Sequence, residues 1–144
     1  SKLSTFLSWF LINLLLIPRK RDEKNPKRDP IFIMDSYLKN GKSLIFFPEG
    51  SRGKAGKIQV FKKGLGHLMK KNMNIPIVPV YLEGIGRVLP KGNKIMLPGI
   101  TKIYFGTPIF LENESVEEIV EKAENAVHYL KNRCDNNNSS KLRE

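Results

Sequence analysis

The residues whose types and spacing could do chemistry collect in one hexapeptide, Phe47-Pro48-Glu49-Gly50-Ser51-Arg52. Glycine lets backbone amides approach an anion closely, because no side chain stands in the way. Arg52 brings a planar fork of donors suited to phosphate oxygens, and Ser51 adds a hydroxyl. Glu49 cannot bind phosphate itself, but it can fix an arginine or accept a proton from a substrate hydroxyl. The structural alternative is an ordinary strand-to-loop turn with a surface Glu–Arg pair. A nucleotide site competes for the same stretch: Ser51–Ile58, SRGKAGKI, approaches the G-x-x-x-x-G-K-[ST] loop. Ser51 stands in place of its first glycine and Ile58 in place of the hydroxyl that ligates magnesium. The helical pattern also begins near Phe61 and not at Lys57, so the nucleotide reading is set aside.

The charge distribution favours an anion site. The 144 residues carry 25 Lys and Arg against 14 Asp and Glu, a formal charge of +11. Arg19–Arg28 holds six basic residues and two acidic ones, and Gly50–Lys71 holds seven basic residues and no carboxylate, while acids gather between Glu112 and Glu124. An anionic partner follows: nucleic acid, an anionic membrane surface or a phosphorylated substrate. At 40% apolar and 27% charged residues, the composition excludes wholesale disorder and a polytopic membrane protein. The length fits one domain that buries roughly 68–70% of its unfolded surface. Cys134 is the single cysteine, so no internal disulfide exists.

The elements that must position the hexapeptide read as alternating helices and strands. Asp29-Pro30 starts a helix with an N-cap acid and a proline at the first helical position. Ile31, Met34 and Leu38 give that helix its apolar face, and Gly41 ends it. Ser43–Phe47 reads as a buried strand, stopped by Pro48, and Glu49–Lys57 as a loop. Phe61–Met73 reads as a helix with Phe61, Leu65, Leu68 and Met69 on one face. Ile77–Leu82 is a second buried strand, in which Pro79 marks an edge, a bulge or an end. Ile95–Leu97 and Ile100–Phe105 are two further strands about a Pro98-Gly99 turn. Ser115–Glu118 is a capping box. It opens a helix whose apolar stripe is Val116, Ile119, Val120, Ala123, Val127 and Leu130. Residues 134–144 carry no apolar pattern and are expected to form a disordered tail. The alternation predicts an α/β fold, a mixed and largely buried β-sheet flanked by helices.

Leu3–Ile17 is apolar but shorter than the ~20 residues a spanning helix needs. Its basic flank, Arg19 to Arg21, follows it, unlike that of a secretory signal. A core helix and a helix lying at a membrane interface both fit. Phe6, Trp9, Phe10 and the basic flank suit the interface.

Taken together, the motifs resemble those of the glycerolipid acyltransferase family, whose best-known class is 1-acyl-glycerol-3-phosphate acyltransferase. Phe47–Arg52 is similar to its FPEG[ST]R block, Phe61-Lys62-Lys63-Gly64 to the F-K-x-G that follows, and Ile77-Val78-Pro79-Val80 to its V-P-V strand. Ile17-Pro18-Arg19 resembles the end of its second block. The similarity runs in consistent order from about Leu3 to Phe110. It implies an acyltransferase-like fold, with residues 1–133 the C-terminal part of a single acyltransferase domain. It also implies transfer of an acyl chain from coenzyme A or acyl carrier protein to the hydroxyl of a lysophosphatidic-acid-like lipid. By the same resemblance, Arg19, Glu49, Gly50, Ser51 and Arg52 bind the acceptor, with Lys62 and Gly64 supporting the pocket. The implied setting is membrane-associated, at the cytoplasmic face, with no metal, no redox cofactor and no nucleic-acid partner.

The family's first block, H-x-x-x-x-D, supplies the general base that the acceptor hydroxyl needs. The chain has two histidines, His67 and His128, and the fifth residue beyond each is Asn72 and Arg133. Neither makes the motif, so no catalytic residue is expected within this chain. The catalytic histidine is expected upstream, consistent with a first residue, Ser1, that is not methionine. The rival expectations are a non-catalytic homologue and a small basic nucleic-acid-binding protein. Against the latter, aromatic residues do not interleave with the basic ones as stacking platforms require.

Overall fold

The computed structural model describes residues 29–51, 53, 56–88 and 97–141, with the backbone alone for 137–141. Arg19, Arg52 and the Leu3–Ile17 stretch lie outside the described residues. The chain divides into two compact units, Ser1–Leu44 and Ile45–Glu144.

In the first unit, helix α1 spans Pro30–Lys39. Its start follows from local chemistry: the Asp29 carboxylate accepts the Ile31 N–H at 2.8 Å, and Pro30 occupies a position whose N–H has no helical partner. Gly41, at φ 70°, closes it and donates its N–H to Leu38 O at 3.0 Å. Met34 and Leu38 are buried, as their spacing predicts, together with Asp35, which pairs with Lys39 at 2.8 Å.

The second unit is built around two helices and one β-ribbon. Helix α2 spans Gly64–Lys70, shorter than the expected Phe61–Met73. The N–H groups of Phe61 and Lys62 go to Glu124 Oε2 and Pro48 O, and helical bonding begins with the His67 N–H on Lys63 O, which makes Lys63 the N-cap. At the other end the buried Asn72 donates its side-chain amide to Leu68 O at 2.9 Å and stops the helix. Strand β1 is Val80–Glu83, α3 is the short turn Ile85–Val88, and β2 is Lys102–Phe105. The strands pair antiparallel, Val80 opposite Phe105 and Glu83 opposite Lys102. A bridge between Ile77 and Ile109 continues the pairing beyond Pro79, which immediately precedes β1.

Helix α4, Val116–Lys141, packs against α2 and β1. Its capping box forms as the sequence predicts. Ser115 Oγ accepts the Glu118 N–H at 3.3 Å, and Glu118 Oε2 accepts the Ser115 N–H at 2.7 Å. That bond to the Ser115 backbone holds the Glu118 carboxyl below its usual range. Ile119, Val120, Ala123 and Leu130 are buried on one stripe.

Four expectations differ from what the described residues show. Mixed pairing is not seen: the sheet is a two-stranded antiparallel ribbon among the described residues, and it is not largely buried. Ile103 and Phe105 are 58% and 70% exposed, because α4 packs on the ribbon and no described element covers the other face. Ser43–Phe47 belongs to no strand, and Ile45 is 91% exposed. No described segment offers the ladder that would make a buried strand of it. Cys134–Lys141, expected as irregular tail, is helical. Cys134 falls four residues after Leu130 on the buried stripe, is 2% exposed, and anchors the extension. Of the Ile95–Leu97 strand, residues 95 and 96 lie outside the described residues. Leu97 is in no strand and donates its N–H to Val88 O at 2.7 Å.

The α2–α4 crossing depends on Gly66. A Cβ there would run into the Val116 carbonyl oxygen and lie 2.8 Å from Val116 Cγ1 and 3.0 Å from Val120 Cγ2. Alanine is ordinarily the better helix former, by about 0.8–1.0 kcal/mol. Overpacking typically costs about 1–3 kcal/mol and here meets backbone, so it wins. Gly66→Ala will lower the thermal midpoint. An unchanged or raised midpoint would show that the helices can separate without loss.

Candidate functional site

Phe47-Pro48-Glu49-Gly50 forms a turn in which the Gly50 N–H donates to Phe47 O at 3.1 Å. Proline at the second position presets its φ. Gly50 follows at φ 70°, a left-handed conformation that side chains disfavour. The chain then returns alongside the turn: the Lys62 N–H donates to Pro48 O at 2.9 Å. Glu49 Oε2 accepts the Gln59 N–H at 2.9 Å, and Gln59 Nε2 donates to Ser51 O at 3.1 Å.

These bonds bring Glu49, Gly50, Ser51 and Lys62 together. The Lys62 side chain lies across the bare face of Gly50, where a Cβ would come within 3.0 Å of Nζ and 3.1 Å of Cδ and Cε. Any side chain at position 50 would therefore both strain the turn and push Lys62 away. Among the described residues no carboxylate pairs with the Lys62 ammonium. Lys39, Lys63, Lys102, Lys122 and Lys131 have such partners, while Lys42, Lys57, Lys70 and Lys71 share the lack of one among the described residues. Gly64 begins α2 beside the same segment, 3.8 Å from Phe46 Cζ when measured from an ideal Cβ. That spacing would admit a Cβ, so close packing is not what calls for glycine there.

The surroundings hold the site to the rest of the unit. The buried Phe61 donates its N–H to Glu124 Oε2 of α4 at 3.0 Å, and Lys63 pairs with Glu117 at 2.7 Å. The Lys63 ammonium holds the Glu117 carboxyl below its usual range. Glu124 and Gln59 escaped the sequence reading. Their partners lie 63 and 8–10 residues away, and no local pattern marks them.

His67 is exposed on α2. His128 is half-buried, with Nε2 3.9 Å from Glu124 Oε1, too far for a hydrogen bond. The cavity beside the start of α4 is lined by Glu112, Glu114, Glu118, Glu121 and Lys122. Lys122 is bound there to Glu114 and, with the Glu112 N–H, holds that carboxyl down at about 2. An acid-rich wall repels phosphate, so this cavity is not the anion site. Among the described residues no three His, Cys, Asp or Glu side chains are grouped to hold a metal ion. No described helix is long and apolar enough to cross a membrane.

Known proteins resemble this chain in sequence. The chain is 31% identical over 105 residues to a chloroplastic 1-acyl-sn-glycerol-3-phosphate acyltransferase of Brassica napus, covering 72% of this chain and 30% of that protein. A chloroplastic enzyme of the same name from Arabidopsis thaliana is 32% identical over 104 residues, 72% of this chain and 29% of its own. One from Pseudomonas aeruginosa is 29% identical over 119 residues, 81% of this chain and 45% of its own. The chain thus spans about three tenths of the length of the two plant relatives. No solved structure matches it. The Acyltransferase family model matches residues 2–83, which contain the Glu49–Gly50–Ser51 turn, Lys62 and β1, and the chain belongs to the acyltransferase family.

Proposed function

We propose that this chain is part of an enzyme that acylates lysophosphatidate, a 1-acyl-glycerol-3-phosphate, to phosphatidate. The observation that supports this best is the turn at Gly50, in left-handed conformation under a lysine with no carboxylate partner among the described residues. It combines close backbone approach with positive charge, which an acceptor phosphate requires. The names of the relatives support the same substrate class.

In this reading, Gly50, Ser51, Lys62 and Arg52 bind the acceptor phosphate, and Glu49 is fixed by the Gln59 N–H as a brace of the turn. The acceptor hydroxyl attacks the thioester carbonyl of an acyl chain carried by coenzyme A or acyl carrier protein. Its proton passes to a general base, the carbon–sulfur bond breaks, and the thiolate leaves and takes up a proton. The transfer is redox-neutral and needs no group beyond the thioester. Neither histidine of the chain sits in an H-x-x-x-x-D block, so the base comes from outside residues 1–144. Leu3–Ile17 and its basic flank would hold the enzyme at the cytoplasmic face of a membrane, where its lipid substrate lies.

The test is release of free thiol from acyl-coenzyme A and from acyl carrier protein by the complete protein that contains these residues. Thiol should appear only when lysophosphatidate is supplied, matched by phosphatidate formed. Thiol release that ignores the acceptor would make the protein a thioesterase and refute the reading.

A further inference from the structure

The turn that carries Glu49, Gly50 and Ser51 leads into a stretch with glycines at 53 and 56, whose backbone has much freedom to lose. One residue reaches across it. Gln59 meets the loop at three points: its N–H on Glu49 Oε2 at 2.9 Å, its side-chain amide on Ser51 O at 3.1 Å, and its side chain against Gly53. At Gly53 a Cβ would lie 2.6 Å from Gln59 Nε2 and 3.0 Å from Cδ, so the glycine is what lets the amide sit there.

We propose that Gln59 is a positioning residue for the acceptor site. Its side-chain amide holds the Ser51 carbonyl, and so fixes Ser51 beside the Gly50 turn, where the acceptor's phosphate is assigned. A loop ordered in advance binds its ligand without the entropy cost of ordering it then. The bond to Glu49 uses backbone, which any residue except proline supplies. The bond to Ser51 needs a donor of this length. Glutamate would set an acceptor against an acceptor, asparagine is one methylene short, and methionine fills the space and donates nothing.

The inference rests on the acyltransferase reading, and the experiment separates the two. Thiol release is measured on the complete protein as wild type, Gln59→Met, Gly53→Ala and the double variant. KM for lysophosphatidate, KM for the acyl donor, kcat and the thermal midpoint are recorded for each. Gln59→Met will raise the acceptor KM roughly three- to tenfold, the scale of one neutral hydrogen bond, with the donor KM and the midpoint unchanged. Gly53→Ala displaces the Gln59 amide and will do the same. The double variant will be no worse than either single one, because both remove one contact. An active wild type whose acceptor KM is untouched by Gln59→Met overturns the positioning role and leaves the acyltransferase reading standing. So does a rise shared equally by both KM values, or additive losses in the double variant, since a loosened fold would give those. A wild type that makes no phosphatidate overturns the acyltransferase reading and this inference with it.

Discussion

Replacing both histidines of the chain, His67→Gln with His128→Gln, will leave phosphatidate formation within about twofold of wild type. On the proposed reading the base belongs to an H-x-x-x-x-D block outside residues 1–144, and removing that histidine will lower it by about 10²–10⁴-fold, the usual worth of general-base assistance. A general base must reach the hydroxyl proton directly or through one water, and it works best when a carboxylate holds its ring. His67 is exposed on α2, and its fifth neighbour is Asn72, whose side chain is spent on Leu68 O. His128 has a carboxylate nearby, but Glu124 stands 3.9 Å away with its other oxygen on the Phe61 N–H. Phase by phase, the measurement is a single-turnover rate of thiol release with saturating lysophosphatidate. A large loss in His128→Gln alone would move the base to the His128–Glu124 pair and overturn the assignment.

The parts of the molecule that local chemistry decides were legible in the sequence. Asp29-Pro30 and Gly41 bracket α1, and Ser115 with Glu118 opens α4, because each cap is made by residues within four positions of one another. The loop after Pro48 was legible for the same reason, from its proline and glycines, whereas the turn itself was only the structural alternative and the left-handed Gly50 came with the structure. What failed was non-local. An apolar run such as Ser43–Phe47 becomes a strand only where a neighbour supplies its ladder, and the run itself does not say where that neighbour lies. The start of α2 lies at Gly64, and the contacts that hold Phe61 and Lys62 just before it come from residues far away in sequence. Cys134 was misjudged through composition. The polar residues after it hide that the spacing from Ile119 through Ala123 and Leu130 still reaches it. Gln59 carries no motif at all, and its part in the site is visible only once the return of the chain past Ser51 is known.

Arg52→Ala will lower kcat/KM for lysophosphatidate by about 10- to 150-fold, since a hydrogen bond to a charged group contributes roughly 1.5–3 kcal/mol. The expectation rests on the sequence position of Arg52, next after the turn. There the fork of donors would add to the Lys62 ammonium that lies over Gly50. Lysine and arginine divide the work differently: an ammonium is a point charge on a flexible stem, whereas a guanidinium offers paired donors in one plane. Arg52→Lys will therefore keep the long-range attraction but not the paired geometry, and will recover only part of the loss. Raising the salt concentration should weaken acceptor use in wild type and in Arg52→Lys, and less steeply in Arg52→Ala, which has one cation fewer to screen. At any one salt concentration the donor KM should be the same in Arg52→Ala as in wild type, because Arg52 is assigned to the acceptor's phosphate and not to those of the donor. Acceptor kinetics unchanged in Arg52→Ala would remove this residue from the site and leave Lys62 and the turn as its phosphate contacts. A fall in kcat with both KM values constant would instead place Arg52 against the charge that develops on the thioester oxygen.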